Sequence, residues 1–191
     1  MSRKLRAKFC AKSIALALSV STWAHAEVID DTRSWVYVSG TSQTVLVAPA
    51  EIGSVNAYGH ATVEVLGGDV AWLRMNDSSH ANVSGGDISW IRLYDASSVR
   101  ITGIEDLSWL VMDSSLATAE IVADNVTYSG GHLSGTWADG TGFSFWAVEG
   151  TFNPSHIMPS NITITAVPEP ATWVTVSIGL LALVAGRKRS S

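Results

Sequence analysis

The stretches Gly67–Met75 (GGDVAWLRM) and Gly85–Leu93 (GGDISWIRL) repeat one pattern 18 residues apart. The stretch Gly103–Met112 (GIEDLSWLVM) carries the pattern one step further, with one inserted residue. A weaker copy precedes them over residues 55–65, and a worn copy follows over residues 121–131. A fixed period of this kind is typical of a chain that stacks one small structural unit on the next.

Each repeat has the pattern of two short β-strands joined by turns. Leu73 and Met75 alternate with polar or outward residues, and Val63 and Val65 do the same in the second half of a repeat. This alternation with a period of two predicts half-buried strands. Clusters rich in Gly, Asp, Asn and Ser separate the strands and favour turn conformations. No apolar stripe with helical spacing occurs outside the two ends, so the sequence predicts an all-β domain.

A period of 18–19 residues with two strands per period favours a short single-stranded β-helix, or β-solenoid, with one repeat per coil. Equivalent side chains would then stack about 4.8 Å apart along the axis. An antiparallel β-sandwich, in which successive repeats form hairpins, is the alternative. The solenoid predicts three internal ladders and one outward tryptophan ladder: Val70/Ile88/Leu107, Leu73/Ile91/Leu110, Met75/Leu93/Met112 and Trp72/Trp90/Trp109.

The segments around the repeats have a different composition, and we expect them to cap the solenoid, because open sheet edges promote aggregation. Residues 27–50 contain two strand-like runs and form the predicted N-terminal β cap. Residues 51–129 form the repeats, and residues 130–166 form the predicted C-terminal β cap. Within this second cap, a Gly- and aromatic-rich run predicts a hairpin that turns at Asp139-Gly140.

The amino terminus has the three features of a secretory signal peptide. A basic stretch is followed by an apolar core over residues 13–23, which predicts a signal helix. Ala24 and Ala26 provide small residues at the two positions that a signal peptidase reads. We therefore expect residues 1–26 to be removed. The single cysteine, Cys10, would leave with them, so disulfides cannot stabilise the mature domain.

The carboxyl terminus, residues 167–191, combines three elements in a fixed order. A stiff Pro168-Glu169-Pro170 is followed by an apolar run that is just long enough for a transmembrane helix. The basic residues Arg187, Lys188 and Arg189 end the chain and predict a cytoplasmic C-terminus. This arrangement resembles the PEP-CTERM sorting signal of Gram-negative bacteria that make exopolysaccharide.

The resemblance implies a route for the protein and a set of partners. It implies export, a transient anchor in the inner membrane, and removal of the tail by an exosortase, with signal peptidase acting at the other end. The cell surface or the extracellular space is the expected destination. The resemblance covers these 25 residues and states where the protein goes, not what it does there.

The charge distribution limits the partners of the domain between the two signals. From Glu27 to Glu169 the chain has seventeen carboxylates and four arginines (Arg33, Arg74, Arg92 and Arg100), which gives a net charge of −13 without a single lysine. Such a domain repels nucleic acid and anionic surfaces. We therefore expect no nucleic-acid partner.

The acidic residues recur at two places in each repeat. Asp69, Asp87 and Asp106 form one predicted row, and Asp77 and Asp95 form another. The favoured interpretation is that these residues cap turns by accepting backbone N–H groups. A calcium or sugar site is the alternative. The four histidines after the predicted signal peptide show no metal-ligand spacing, and no nucleophile or nucleotide motif occurs. The sequence therefore predicts no catalytic residue, no metal and no cofactor.

The sequence favours a non-enzymatic structural or adhesive protein of the cell surface or extracellular matrix, associated with exopolysaccharide. If the predicted tryptophan ladder is exposed, Trp72, Trp90 and Trp109 are candidates for stacking on sugar rings. Two alternatives remain open at this point. One is a small polysaccharide lyase or hydrolase on the same β-helix, and the other is a calcium-dependent matrix protein.

Overall fold

The computed structural model describes residues 26–150 and 157–167. All regular secondary structure within these ranges is β-strand. The predicted signal helix and transmembrane helix lie outside these ranges. The described ranges contain no helix that is long and apolar enough to cross a membrane. The strands are β1 (Ala26–Ile29), β2 (Thr32–Val38), β3 (Gln43–Leu46), β4 (Glu51–Ala57), β5 (Thr62–Val65), β6 (Asp69–Met75), β7 (His80–Val83), β8 (Asp87–Leu93), β9 (Ser98–Ile101), β10 (Asp106–Met112), β11 (Thr118–Val122), β12 (Asp124–Ser129), β13 (His132–Thr136), β14 (Gly142–Glu149) and β15 (Ile162–Thr165).

The strands form two sheets, and the chain alternates between them. One sheet has the order β1-β3-β5-β7-β9-β11-β15, and the other has the order β12-β13-β14-β10-β8-β6-β4-β2. Pairing in the repeats is parallel: Asp69 faces Asp87, which faces Asp106. The fold is therefore a β-solenoid of about five turns with one strand from each sheet per coil. Parallel pairing rules out the hairpins that a sandwich would need.

The internal ladders lie where the repeat predicts them. Leu73, Ile91 and Leu110 are neighbours across three strands, and all three are fully buried. The ladders of Val70 and Met75 are buried in the same way. They belong to one continuous hydrophobic core between the two sheets. Repetition of the same apolar residue at each step lets every coil pack on its neighbour in the same manner.

The two corners of each coil depend on backbone conformations that few residues adopt. Gly86 has φ of +83°, and a Cβ atom there would lie 2.6 Å from the carbonyl oxygen of Gly68 in the preceding coil. Only glycine fits such a site. At the opposite corner, Asp77 and Asp95 have φ of 56° and 50°. Aspartate tolerates this left-handed region better than most side chains, because it can hydrogen-bond locally.

The segment 27–50, predicted as the N-terminal β cap, lies at one end of the two sheets that the repeats form. Its strands β1, β2 and β3 pair in parallel with β3, β4 and β5, in the same two sheets as the repeats. The pairing of Thr32 with Glu51 keeps the coil spacing, although the Gly-Gly-Asp pattern is absent there. β1 and β2 lie at the outer edges of their sheets.

At the other end, the regular succession of coils is interrupted after β11. The residues that follow, which the sequence suggested as a worn repeat, form β12, and this strand pairs antiparallel with β13. β13 and β14 form the predicted hairpin, with Gly140 at φ of 89° in its turn. β14 then pairs in parallel with β10, and β15 with β11. A hairpin insertion therefore precedes the last partial coil.

Candidate functional site

An open trough crosses the β2-β4-β6-β8-β10 face of the solenoid and runs along the solenoid axis. Its volume is about 590 Å³, and its lining comes from all five strands. One side carries the carboxylates of Glu51, Asp69, Asp87 and Asp106, one from each of four adjacent coils. The floor is built from small residues: Ser34, Gly53, Ala71, Ser89 and Ser108. At about 4.8 Å per strand, the trough is about 20 Å long.

The carboxylates of the trough have no partners within the described ranges. Asp69, Asp87 and Asp106 are exposed, and their side chains make no hydrogen bond or ion pair there. The predicted turn-capping role therefore does not hold for this row. It does hold for the other row, because Asp77 accepts the N–H of Gly59 at 2.8 Å. Two acidic rows that look alike in the sequence thus differ in the structure, and only the first is available to a ligand.

The tryptophan ladder forms, and it has one more member than the sequence predicted. Ring centroids are 4.9 Å apart between Trp72 and Trp90, and 5.1 Å apart between Trp90 and Trp109. Trp146 of β14 continues the stack at 5.1 Å from Trp109. The rings are nearly parallel, with interplanar angles of 8° to 15°. The sequence hid this fourth member because a hairpin separates β14 from the repeats.

This stacking changes what the ladder offers to a sugar. A sugar stacks on the face of an aromatic ring, but both faces of Trp90 and Trp109 are turned toward neighbouring rings. The guanidinium of Arg74 lies 4.7 Å from the ring centre of Trp72, and the His132 ring lies 3.7 Å from that of Trp146. Glycan stacking on Trp72, Trp90 and Trp109 stays a prediction, and the structure leaves mainly ring edges for it.

The ladder is interrupted at its N-terminal end. Ser54 occupies the position next to Trp72, and Trp35 occupies the position beyond Ser54. Arg74 fills the gap by donating a hydrogen bond to the Ser54 hydroxyl at 3.2 Å. The Trp35 side chain is consequently 58% exposed, and Tyr37 on the same strand is 69% exposed. Trp35 directly follows Ser34, the last residue of this strand that lines the trough.

Three arginines that a lyase-like site could use are paired with carboxylates. Arg92 makes a two-pronged ion pair with Asp113, with nitrogen–oxygen distances of 2.8 Å, and hydrogen bonding to Asp113 raises the pKa of Arg92. Arg33 pairs with Glu27 and Asp31, and Arg100 lies 3.7 Å from Glu120. Of these cations only Arg33 lines the trough.

A polar network on the other sheet joins residues that the sequence did not connect. His80 lies 2.8 Å from the Ser98 hydroxyl through Nδ1 and 2.8 Å from Asn82 Oδ1 through Nε2. Asn82 in turn donates to Glu64 at 2.7 Å. The order hydroxyl, imidazole and amide resembles a nucleophile relay, but Ser98 lies on β9, which pairs on both sides. Its neighbouring N–H groups are therefore committed to the sheet and cannot form an oxyanion hole.

A second pocket, of about 410 Å³, lies where the β13–β14 turn meets two coil corners, and we name it the corner pocket. Its lining includes Trp137, Glu105 and Asp139. Trp137 is only 3% exposed, and its indole N–H has no hydrogen-bond partner in the described residues. A buried donor without a partner costs about 1–3 kcal/mol. Hydrogen bonds from Thr141 lower the pKa of Asp139.

No arrangement of three or more His, Cys, Asp or Glu side chains that could hold a metal ion occurs in residues 26–150 and 157–167. The predicted processing residues Ala24, Pro168, Glu169, Pro170, Arg187, Lys188 and Arg189 lie outside these ranges. Ala26 is the first residue of β1, so the predicted signal-peptidase cut falls within that strand.

Residues 166–190 match the model of the PEP-CTERM protein-sorting motif. The chain carries a PEP-CTERM protein-sorting motif. The motif indicates export and a C-terminal membrane-anchoring sorting signal, and it implies processing by an exosortase. It begins one residue after β15 ends, and the N–H of Val167 donates to Asp124 at 3.1 Å. Neither a curated protein nor a solved structure matches the chain.

Proposed function

We propose that this protein is a non-enzymatic, exported adhesive or structural protein that binds exopolysaccharide at the cell surface or in the extracellular matrix. The observation that carries the proposal is the trough, which presents one exposed carboxylate from each of four successive coils. A repeating row of hydrogen-bond acceptors suits a repeating polymer better than a small molecule. The sorting motif indicates export, which is consistent with a surface that meets polysaccharides outside the cell.

The chemistry of the trough favours neutral or amino-bearing polysaccharides. Free carboxylates accept hydrogen bonds from sugar hydroxyls and ammonium groups, and such charge-assisted bonds are stronger than neutral ones. The net charge of −13 between Glu27 and Glu169 repels polymers that are rich in uronate or sulfate. The floor of small residues lets a chain of pyranose rings approach the sheet closely. The exposed ring of Trp35 adds a stacking surface at one end.

The trough does not have the features of a hydrolytic or lytic site. Catalysis by two carboxylates requires that their surroundings differ, so that one acts as an acid and the other as a base. Asp69, Asp87 and Asp106 occupy equivalent register positions on successive strands, and all three side chains are exposed. Arg92 is paired with Asp113 and is not available to them. These observations support a binding role.

The short distance between the fold and the sorting motif supports a surface role. β15 ends at Thr165, so tail removal near Pro168 would leave almost no spacer after the last strand. A protein retained through this end would be held close to its attachment point. The trough runs along the axis of the solenoid and would remain accessible in that arrangement.

Retention of the purified full-length chain on immobilised exopolysaccharide from the producing bacterium tests the proposal. The variant combines Asp69→Asn, Asp87→Asn and Asp106→Asn, which keeps the side-chain shapes but removes three charges. The amide oxygens still accept hydrogen bonds, but three charge-assisted bonds become neutral ones, and a weakening of about 0.5–1.5 kcal/mol each predicts a loss of affinity of roughly tenfold or more. The control removes three charges elsewhere through Asp30→Asn, Glu64→Gln and Glu149→Gln, and we expect it to bind like the wild type. Equal binding by both variants would refute the assignment of the trough.

A further inference from the structure

The corner pocket breaks the regularity of the solenoid and shares no lining residue with the trough. It forms where the corners at Ser84 and Gly103–Glu105 meet the turn between β13 and β14. The coil at this point contains an inserted residue, because Asp87 pairs with Asp106 rather than with Glu105. Ile104 is turned into the core, and its side chain is only 7% exposed. Unlike residues therefore meet here, as in a dedicated site, whereas the trough repeats a carboxylate from coil to coil.

The polar groups of the corner pocket are complementary to hydroxyl groups. The indole N–H of Trp137 needs an acceptor and has none in the described part of the chain. The Glu105 carboxylate is exposed and makes no hydrogen bond or ion pair there. Asp139 uses Oδ1 for the N–H and the hydroxyl of Thr141, at 2.9 and 2.7 Å. The site thus combines an unpaired donor with carboxylates that need donors.

We propose that the corner pocket binds a single pyranose residue of a glycan, separately from the polymer that we assign to the trough. A sugar hydroxyl is both donor and acceptor, so one ring can accept from Trp137 and donate to Glu105 and Asp139. The volume of about 410 Å³ falls in the range of small-molecule sites. The indole stacks on Phe143, with ring centroids 4.0 Å apart. The N–H is shielded from solvent, so sugar entry requires a small shift of the indole toward the pocket.

Indole N–H resonances of the ¹⁵N-labelled full-length chain test this proposal directly. The chain is kept in a detergent without a sugar headgroup, and glucose, galactose, mannose and N-acetylglucosamine are titrated in separate experiments. The Trp137 resonance is assigned as the one that disappears in Trp137→Phe, a variant that keeps an aromatic ring over Phe143. We expect at least one sugar to shift this resonance saturably.

Two variants separate the corner pocket from the trough. Glu105→Gln removes an exposed carboxylate and should weaken the binding of the responding sugar at least tenfold, with the fold unchanged by circular dichroism. Asp69→Asn in the trough should leave that binding unchanged. The proposal is overturned if no sugar shifts the Trp137 resonance saturably, or if Glu105→Gln binds as well as the wild type. If only the trough assignment fails, the trough variant and its control will retain the polymer equally, while sugars still shift the Trp137 resonance.

Discussion

Replacement of Trp90 by alanine tests whether the tryptophan ladder stabilises the fold. Trp90 is an interior member of the ladder, with Trp72 4.9 Å away on one side and Trp109 5.1 Å away on the other. Removal of its ring breaks two stacking contacts at once and opens a gap between the remaining rings. The ladder joins adjacent coils on the outer face, so the loss should appear as lower global stability.

The expected magnitude follows from these two contacts. Each aromatic pair contributes about 0.5–1.5 kcal/mol beyond the area that it buries, so two pairs contribute about 1–3 kcal/mol. The truncation also returns roughly 100 Å² of apolar surface to water, which is worth about 2.5 kcal/mol at 25 cal/mol per Å². Trp90→Ala should therefore lower the free energy of unfolding by about 3.5–5.5 kcal/mol, close to the range that is usual for large aromatic truncations.

The assay is urea unfolding followed by far-ultraviolet circular dichroism, because the substitution itself changes the tryptophan fluorescence. Trp35→Ala is the matched control. Trp35 lies in register with the ladder, but Ser54 separates it from Trp72, and it is 58% exposed. We expect the control to cost less than about 1 kcal/mol, as surface substitutions usually do.

A loss of stability in Trp90→Ala no larger than that in Trp35→Ala would refute this reasoning. The double variant Trp72→Ala plus Trp90→Ala provides a further check. Because the two rings contact each other, the stability losses of the two single variants should add up to about 0.5–1.5 kcal/mol more than the loss in the double variant. Strict additivity would mean that the stacking contributes nothing beyond burial.

Three further predictions concern the corners and the hairpin turn. Gly86→Ala should lower the free energy of unfolding by about 3 kcal/mol or more, because its Cβ meets a backbone oxygen at 2.6 Å; Gly130→Ala, with φ of 58° and nothing within 4 Å, should cost about 1–2 kcal/mol. Asp77→Ala should cost about 1–3 kcal/mol and Asp77→Asn much less, because asparagine tolerates the left-handed conformation and keeps an acceptor; equal losses in urea melts would contradict this. Thr141 lowers the pKa of Asp139, so this carboxylate stabilises the fold above the ordinary aspartate pKa and loses that effect as the pH falls through the folded pKa. Asp139→Asn should therefore melt lower than the wild type at pH 6, and the difference should shrink at pH 3; a constant difference would contradict this assignment.

The repeats could be predicted because their information is local and recurs. Leu73 and its equivalents alternate with outward residues in every copy, and a period that fits one coil fixes their stacking. The outward position of Trp72 followed from its place beside Leu73 in the strand. Parallel pairing then confirmed the solenoid over the sandwich.

The first coils could not be recognised because their corners use different residues. At the position of the glycines before β6 and β8, the chain before β4 has Ala48, Pro49 and Ala50. The strands still pair with their neighbours at the coil spacing, since that spacing depends on the lengths of the strands and turns and not on turn composition. A search for the spacing alone, without the Gly-Gly-Asp letters, would have found them.

The candidate sites depended on contacts that the repeat does not encode. Asp77 and Asp69 recur with the same period, but only the fold shows that Asp77 caps a neighbouring turn while Asp69 faces the trough. Trp146 joins the ladder only because a reversed hairpin returns β14 to the side of β10. The corner pocket likewise joins the β13–β14 turn to corners that lie far away in the sequence.

The most direct test of the binding role maps where a soluble fragment of the exopolysaccharide contacts the protein. Backbone amide resonances of the full-length chain would be followed as the fragment is added. If the trough binds the polymer, we expect saturable shifts of the amide resonances at Asp69, Ala71, Asp87 and Ser89, with little change on the opposite sheet. Shifts confined to the opposite sheet, around His80 and Ser98, or no saturable shift at all, would contradict it.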